Sequence, residues 1–357
     1  MVKMRSYVMR RDMGRTARYL DGLPESESAV RQPFELGIAA MDAFNWDQAI
    51  GHFRQAMIEA KGAQLVALFN LIGVCHYTHG RPVNALRAFK ESARLAEQFG
   101  DKQGKAPALG NIGLICHDKG EHDNALKYLK EALAIAREFG DQWVLAIHLG
   151  NTGNIWHDKD DLDRALEYQE KALEISRDLG DKWGVANDLG NIGNIYSDNG
   201  ESDKALKCLE GALAIHRELK YRQGMADDLG SIGFICRVKG RLDEALRYHQ
   251  RALAIHREVG YQPGAAIDLG NIGLILTDKR KHEQAVPKLA EALTILLDIG
   301  VVDCPRQALA GLVKCEDKLG RKRMQGLFKE TGLDDETIAN LLKQIDKLRQ
   351  EAGRAKK

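Results

Sequence analysis

Apolar and small residues recur along the chain at helical spacing, in pairs of runs that a glycine separates. In residues 104–140 the first run has such residues three and four positions apart: Ala106, Leu109, Ile112, Gly113 and Cys116. The second run repeats the spacing: Ala125, Leu129, Ala132, Leu133 and Ala136. Gly120 stands between the two runs. This pattern predicts a helix A, a tight turn and a helix B.

The helix pair recurs with a period of forty residues. The tripeptide Leu-Gly-Asn or a near copy marks helix A at Leu109–Asn111, Leu149–Asn151, Leu189–Asn191, Leu229–Ser231 and Leu269–Asn271. The turn carries Gly80, Gly120, Gly200, Gly240 and Gly320, with Asp160 and Arg280 as substitutes. Helix B carries Ala85, Ala125, Ala165, Ala205, Ala245 and Ala285. A period of this length indicates stacked units rather than one globular core.

These columns divide the chain into four predicted parts. Residues 1–33 form a basic N-terminal arm, and residues 34–300 hold seven helix pairs. The pairs are predicted at about 34–62, 64–100, 104–140, 144–180, 184–220, 224–260 and 264–300. A degenerate eighth pair covers residues 301–330. Residues 331–357 form a C-terminal amphipathic helix and a basic tail, and we expect this helix to cap the apolar face of the last pair.

The columns resemble the tetratricopeptide repeat (TPR). The matching positions are Leu109, Ile112-Gly113, Cys116, Gly120, Ala125, Leu129 and Ala132. The chain departs from that pattern at Cys116, where the family often has tyrosine, and in six extra residues per unit. The long unit, with its ending at Ala134–Asp141, resembles the repeats of Pins-type polarity adaptors and of kinesin light chains. The resemblance implies an all-α, right-handed superhelical solenoid of helix-turn-helix repeats that binds other proteins.

A second face of helix A is polar in unit after unit, and in TPR arrays this face lines the concave groove. Its columns at relative positions 0, +3 and +7 share one helical face. We call the following residues the polar stripe and predict that they bind a peptide: Asn111, Asn151, Asn154, Asn191, Asn194, Ser231, Asn271, Asp118, Asp158, Asp198 and Asp278. An asparagine amide can satisfy both polar groups of an extended backbone. The aspartates would favour basic side chains.

The glycines and asparagines of helix A lower its intrinsic helix propensity. Asparagine costs up to about 0.7 kcal/mol relative to alanine and glycine about 1 kcal/mol, so each unit needs a reason for them. Gly113 suggests close approach of helices A and B, and Gly110 would let another backbone come close on the groove side. The alternative role for the asparagines is to bond neighbouring repeats and fix the superhelix.

The overall charge of +1 indicates no general attraction to nucleic acid or membranes. The charge is concentrated at the ends, however. Residues 1–20 carry six basic side chains and one acidic, and residues 318–357 carry eleven basic and six acidic. These ends either act as solubilising tails or contact an acidic surface, which includes the groove of the array itself.

The remaining motifs give no support to an enzyme or a metal protein. The eleven histidines include no H-E-x-x-H, and the shared column of His216 and His256 follows from repeat duplication. No phosphate loop is complete, so we predict no cofactor. Six cysteines form no C-x-x-C pair, and Cys116 and Cys236 fall at core positions, which indicates a reducing compartment. No run of eighteen apolar residues occurs, so we predict a cytoplasmic protein without a membrane span.

The sequence therefore predicts a non-enzymatic adaptor. Its concave groove would bind an extended or helical segment of another protein, with basic character, and not nucleic acid. Two alternatives remain open. One is a scaffold that associates into a homo-oligomer, and the other is an array that its own basic terminus autoinhibits.

Overall fold

The computed structural model describes residues 28–43, 45–299 and 306–354, and within them the regular elements are all helices. Most of the predicted basic arm, residues 1–27, lies outside the described residues. So do residues 300–305, where the predicted eighth pair begins, and the last three residues of the basic tail. The fold class is all-α, as predicted.

The chain divides into two compact units, residues 1–195 and 196–357. The first unit contains α1 (Ser28–Asp42), α2 (Trp46–Ala56), α3 (Ala63–Thr78), α4 (Pro82–Phe99), α5 (Lys102–Asp118), α6 (His122–Glu138), α7 (Gln142–Asp158), α8 (Leu162–Asp178) and most of α9 (Lys182–Asp198). The second contains α10 (Ser202–Glu218), α11 (Arg222–Val238), α12 (Leu242–Glu258), α13 (Gln262–Asp278), α14 (His282–Asp298), α15 (Arg306–Leu319), α16 (Arg321–Glu330) and α17 (Asp335–Arg354).

Consecutive helices pack as antiparallel pairs, of which α3 with α4 and α5 with α6 are examples in the first unit. The first helix begins at Ser28, six residues before the predicted start of the first pair. Most A and B helices from α5 onward are 17 residues long, whereas α2 has 11 residues. The first pair is therefore shorter on its B side, as the sequence spacing indicated.

A glycine of helix A lets the two helices of a pair approach closely. A Cβ atom on Gly113 would lie 3.2 Å from the Ala125 carbonyl oxygen and 3.2 Å from Leu129 Cγ. The same relation joins Gly73 to Phe89, where a Cβ would meet the ring at 2.4 Å. The predicted reason for Gly113 is confirmed, and helix B completes the contact with a fully buried alanine, Ala125.

Left-handed residues end the helices at the predicted positions. Gly100, Gly140 and Gly180 have positive φ angles, which glycine adopts without a Cβ clash. The carboxylates of Asp101 and Asp141 then accept hydrogen bonds from backbone N–H groups of the next helix. Asp160 and Arg280, the two substitutes in the turn column, also have positive φ angles, 61° and 60°.

We predict that Arg280→Gly raises the free energy of unfolding by up to about 1 kcal/mol. A left-handed conformation costs a residue with a Cβ atom about 1–2 kcal/mol, and the greater freedom of glycine in the unfolded chain offsets part of the gain. Chemical denaturation would measure the change. Gly240→Arg is the matched control at the same turn position, with φ 74°, and should destabilise. Equal stability of both variants would contradict this explanation.

The C-terminal helix α17 packs against α15 and α16. Its residues Ile338, Leu341 and Ile345 are buried, and they share an apolar cluster with Leu312 and Phe328. This packing places the apolar face of an amphipathic helix against the last described pair.

Candidate peptide-binding surface

Polar side chains join successive A helices in a ladder. The Tyr77 hydroxyl of α3 donates to Asp118 Oδ2 of α5 at 2.6 Å. His117 Nε2 of α5 lies 2.6 Å from Asp158 Oδ2 of α7, and this hydrogen bond lowers the pKa of Asp158. Each bond spans 41 residues, so an equivalent pair of positions is used twice. Two aspartates of the polar stripe thus hold neighbouring A helices together.

Asn111 and Asn151 are each only 5% exposed. The Asn111 amide Nδ2 donates to Asn70 Oδ1 of the preceding A helix at 3.0 Å. An amide that is buried in this way contributes a hydrogen bond between layers and has little surface left for a ligand. For Asn111 the structure therefore shows the inter-repeat contact that was the alternative to peptide binding.

The other stripe residues of the first unit are more accessible. Asn154, Asn191 and Asn194 are half-buried, and Asp158 is exposed. Asn154 Oδ1 accepts a hydrogen bond from Gln169 Nε2 of α8 at 2.7 Å. On α7 the half-buried Asn154 lies one turn after the buried Asn151, and on α9 both Asn191 and Asn194 are half-buried.

In the second unit Ser231 and Asn271 are half-buried, while Asp198 and Asp278 are exposed. The Arg237 guanidinium of α11 donates to Asp278 Oδ2 of α13 at 2.8 Å, again across 41 residues. The ladder between A helices thus recurs within this unit, with arginine in place of tyrosine or histidine.

The space above Gly110 contains a side chain that the sequence reasoning missed. A Cβ atom on Gly110 would lie 2.0 Å from His148 Cε1, and His148 is only 4% exposed. Gly110 therefore makes room for the His148 ring of α7. The equivalent Gly150 has no neighbour closer than 3.6 Å to its hypothetical Cβ.

This difference gives a prediction. Gly110→Ala should destabilise the protein by about 1–3 kcal/mol, because the buried ring must move. Gly150→Ala should stabilise it by up to about 1 kcal/mol, since alanine favours a helix interior and has room. Thermal unfolding of the two variants would show opposite shifts of Tm. Shifts of the same sign would contradict the packing argument.

A column of buried polar residues on helix A also escaped the sequence reasoning. It lies two residues before each repeated glycine and holds His148, Asp188, Asp228 and Asp268, while the apolar Ala108 stands at the equivalent position of the earlier pair. The three aspartates are at most 2% exposed. Their partners lie on the preceding B helix: Ser176 donates to Asp188 at 2.7 Å, and His216 Nδ1 lies 2.6 Å from Asp228. The sequence did contain a signal for this column: aspartate recurs every forty residues at 188, 228 and 268, and histidine recurs at 216 and 256, twelve residues before an aspartate.

Asp268 lies between two histidines of α12. Its Oδ1 is 2.9 Å from His249 Nδ1 and its Oδ2 is 2.8 Å from His256 Nδ1. His256 Nε2 is also 3.5 Å from Asp227 Oδ1. Burial lowers the pKa of His256, but the nearby carboxylates of Asp227 and Asp268 outweigh it and raise the pKa to about 9. The cluster contains a cation held by carboxylates inside the second unit.

Among the described residues, no group of three histidine, cysteine, aspartate or glutamate side chains is placed to hold a metal ion. Cys116 and Cys236 are buried, as predicted, and burial raises the pKa of each thiol. In the same part of the chain, no helix is both long and apolar enough to cross a membrane.

Three arginines near the C-terminus are paired with acidic neighbours. Arg321 donates to Asp346 at 2.7 and 2.8 Å, and Arg349 donates to Asp317 at 2.6 Å. Arg323 pairs with Glu283 and Glu330, each at 3.0 Å. These contacts anchor α16 and α17, so the guanidinium groups are engaged within their own unit.

Comparisons with known proteins agree with this architecture. The sequence model of the tetratricopeptide repeat matches residues 63–138, 144–218 and 228–298, more than half of the chain. No curated protein matches the chain.

Several solved structures share the fold at low sequence identity. One is a Rap protein complexed with Competence and Sporulation Factor, with TM-score 0.58, 16% identity, and coverage of 92% of this chain and 99% of that chain. Another is the apo form of the quorum sensor NprR from B. thuringiensis, with TM-score 0.60, 16% identity, and coverage of 92% and 96%. A third is a signal transduction ATPase with a tetratricopeptide repeat sensor from Pyrococcus horikoshii, with TM-score 0.62, 15% identity, and coverage of 91% and 47%.

Proposed function

The chain belongs to the tetratricopeptide repeat family, and on this premise we propose that it is a non-enzymatic adaptor. It binds a segment of another protein along the accessible part of the polar stripe. In the first unit this part consists of Asn154, Asn191, Asn194 and Asp158. A resemblance to the longer repeats of Pins-type adaptors and kinesin light chains adds the expectation that the ligand is a protein segment rather than a small molecule.

The observation that supports this most directly is the repeated exposure of amides on neighbouring A helices. Asn154 of α7 and Asn194 of α9 occupy equivalent positions, and both reach the surface. Packed helices are about 8–10 Å apart, and an extended chain rises about 3.3 Å per residue. An extended segment that crosses these helices therefore advances about three residues between one amide and the next. Each amide can both donate to and accept from its backbone.

The ion pairs qualify the predicted preference for a basic ligand. The side chain of Asp158 is 55% exposed although it hydrogen-bonds to His117, so a basic side chain of a ligand can still approach it. The similar Rap protein was solved with Competence and Sporulation Factor, which supports binding of a partner by an array with this fold. The proposal assigns the buried Asn111 and Asn151 to the stability of the stack.

Selection from a random peptide display library, followed by fluorescence polarisation, would test the proposal. Asn191→Ala with Asn194→Ala should weaken binding of a selected peptide by about fivefold to a hundredfold, the range expected for two lost hydrogen bonds. Asn124→Ala with Asn199→Ala is the matched control, because both residues are exposed and lie off the stripe. Equal affinities of the two double variants would refute the proposed site, provided that both are folded by circular dichroism.

The ligand charge needs its own measurement. Asp158→Asn should reduce the affinity for a lysine-rich or arginine-rich peptide, and this reduction should shrink as salt is added. If the selected peptides contained no basic residues, the expected charge preference would be contradicted. The amide contacts would still be tested separately by the Asn191→Ala, Asn194→Ala variant.

A further inference from the structure

A cavity of about 950 Å³ lies in the first unit between α2, α3 and α4. Its volume is within the range of pockets that hold small organic molecules, roughly 300–1,000 Å³. Helix α3 contributes Phe69, Ile72 and His76, which lie at i, i+3 and i+7 and so share one face. The neighbouring polar residues Asn70 and Tyr77 instead bond to the next A helix. The cavity is therefore separate from the polar stripe.

The walls of this cavity combine apolar surface with positive charge. Met57, Phe69, Ile72 and Leu86 give it an apolar part. The charged residues that line it are Arg54, Arg87, Lys90, Arg94 and Glu91.

One of the cations is neutralised locally, because Arg94 makes two hydrogen bonds to Glu91, at 2.9 and 2.6 Å. Within the part of the chain that the structure describes, Arg54, Arg87 and Lys90 have no carboxylate within ion-pair distance. Three positively charged side chains thus line one concave surface, where their field attracts an anion.

The lining includes a buried polar group that lacks a partner. His76 is only 8% exposed, and its Nδ1 has no hydrogen-bond partner among the described residues. Burial lowers the pKa of His76, the positive charges of Arg54, Arg81 and His79 lower it further, and Asp47 acts in the opposite direction. His76 is therefore neutral near pH 7, with one ring nitrogen that donates and one that accepts. Buried polar atoms are normally hydrogen-bonded, so His76 brings an unsatisfied ring into the wall of the cavity.

We propose that this cavity binds a small organic acid, in which a carboxylate is joined to a bulky apolar group. The carboxylate accepts a hydrogen bond from the His76 ring and pairs with Arg87 and Lys90, since charge-assisted hydrogen bonds are the strongest available here. The apolar group lies on Phe69, Ile72 and Met57. This site goes beyond the proposed function, because it lies off the stripe and favours negative charge.

The N-terminal arm of the chain is a poor occupant for this site. Residues 1–20 carry six basic side chains and one acidic side chain, so the lining would repel them. The short helix α2, with 11 residues, ends beside the cavity at Ala56, where B helices of later pairs continue for further turns. Later pairs, which have longer B helices, therefore do not repeat the surroundings of this cavity.

Isothermal titration calorimetry of the full chain with matched ten-carbon ligands tests the proposal. Decanoate should bind about tenfold or more tightly than decan-1-ol or decylammonium, and acetate should not bind measurably. The Arg87→Glu, Lys90→Glu double variant should lose about tenfold or more in decanoate affinity. The matched control is Lys127→Glu with Lys130→Glu, because these exposed residues occupy the same positions in the next pair. This control should bind decanoate unchanged.

Three outcomes would overturn the proposal. The first is equal binding of decanoate and decan-1-ol, and the second is an equal loss of decanoate affinity in both double variants. The third is binding of the capped peptide acetyl-Leu-Glu-Leu-amide without binding of decanoate, which would make the site a receptor for acidic side chains of a protein. His76→Phe preserves the shape of the ring but removes its hydrogen bond, and it should weaken decanoate while leaving decan-1-ol unchanged.

Discussion

Asp268→Ala is expected to lower the free energy of opening of helices α12 and α13 by about 3–5 kcal/mol, because it removes one partner from a buried charged cluster. Asp268 is 2% exposed and contacts both His249 and His256. Without the carboxylate, His256 either stays charged without its main counterion or loses its proton and its hydrogen bond. Native-state hydrogen exchange of the full chain would measure the local change.

Asp243→Ala is the control for this experiment. Asp243 lies at the beginning of α12, its side chain is 81% exposed, and its partner is Lys279. Surface ion pairs contribute little to stability, so this variant should resemble the original protein. Asp268→Asn preserves the shape and part of the hydrogen bonding, and it should fall between the two. If Asp268→Ala lowered the free energy of opening no more than Asp243→Ala does, the buried cluster would not stabilise these helices.

The same cluster is expected to make the second unit less stable at alkaline pH. The pKa of His256 is about 9 in the folded protein and ordinarily 6.5. A raised pKa means that the folded state holds the proton more tightly than the unfolded chain. The stabilisation is fully present below pH 6.5 and is lost as the pH rises through about 9. Its size is about 3 kcal/mol, from 1.36 kcal/mol per pKa unit.

Several charged or titratable groups surround His256, so the experiment needs a variant that removes His256 alone. Asp227 of α11 and Asp268 of α13 face its two ring nitrogens, His249 shares Asp268, and the Tyr261 ring lies 5.3 Å away. Hydrogen exchange of α12 should be compared at pH 6 and pH 9.5, in the original protein and in His256→Leu. Leucine is the residue at the equivalent position of the next pair, Leu296. The same pH dependence in both proteins would show that His256 is not its origin.

The helix pairs could be predicted because their determinants are local and repeated. The glycine at each turn, the alanine in helix B and the apolar spacing recur every forty residues, so each unit supports the interpretation of the others. The TPR resemblance is confirmed by the matching family, while the relation to Pins-type adaptors and kinesin light chains stays a prediction. Even the substitutes Asp160 and Arg280 take the left-handed conformation of the glycines that they replace.

The polar stripe was predictable as a pattern but not in its exposure. Asn111 and Asn191 share one column of the sequence, yet Asn111 is 5% exposed and bonds to Asn70, whereas Asn191 is half-buried. Likewise, repeat duplication explains the shared column of His216 and His256, and only the distances from His249 and His256 to Asp268 show a buried cluster.

The sequence by itself determined the helices, their turns and their order of packing, because helical period, left-handed glycines and small contact residues act within one unit. The contacts between neighbouring helix pairs were decided only by the tertiary structure. It placed the His148 ring over Gly110, buried Asp268 between two histidines, and left a basic cavity beside the short helix α2. These features depend on side chains from neighbouring helix pairs, whose distance and burial no local pattern can express.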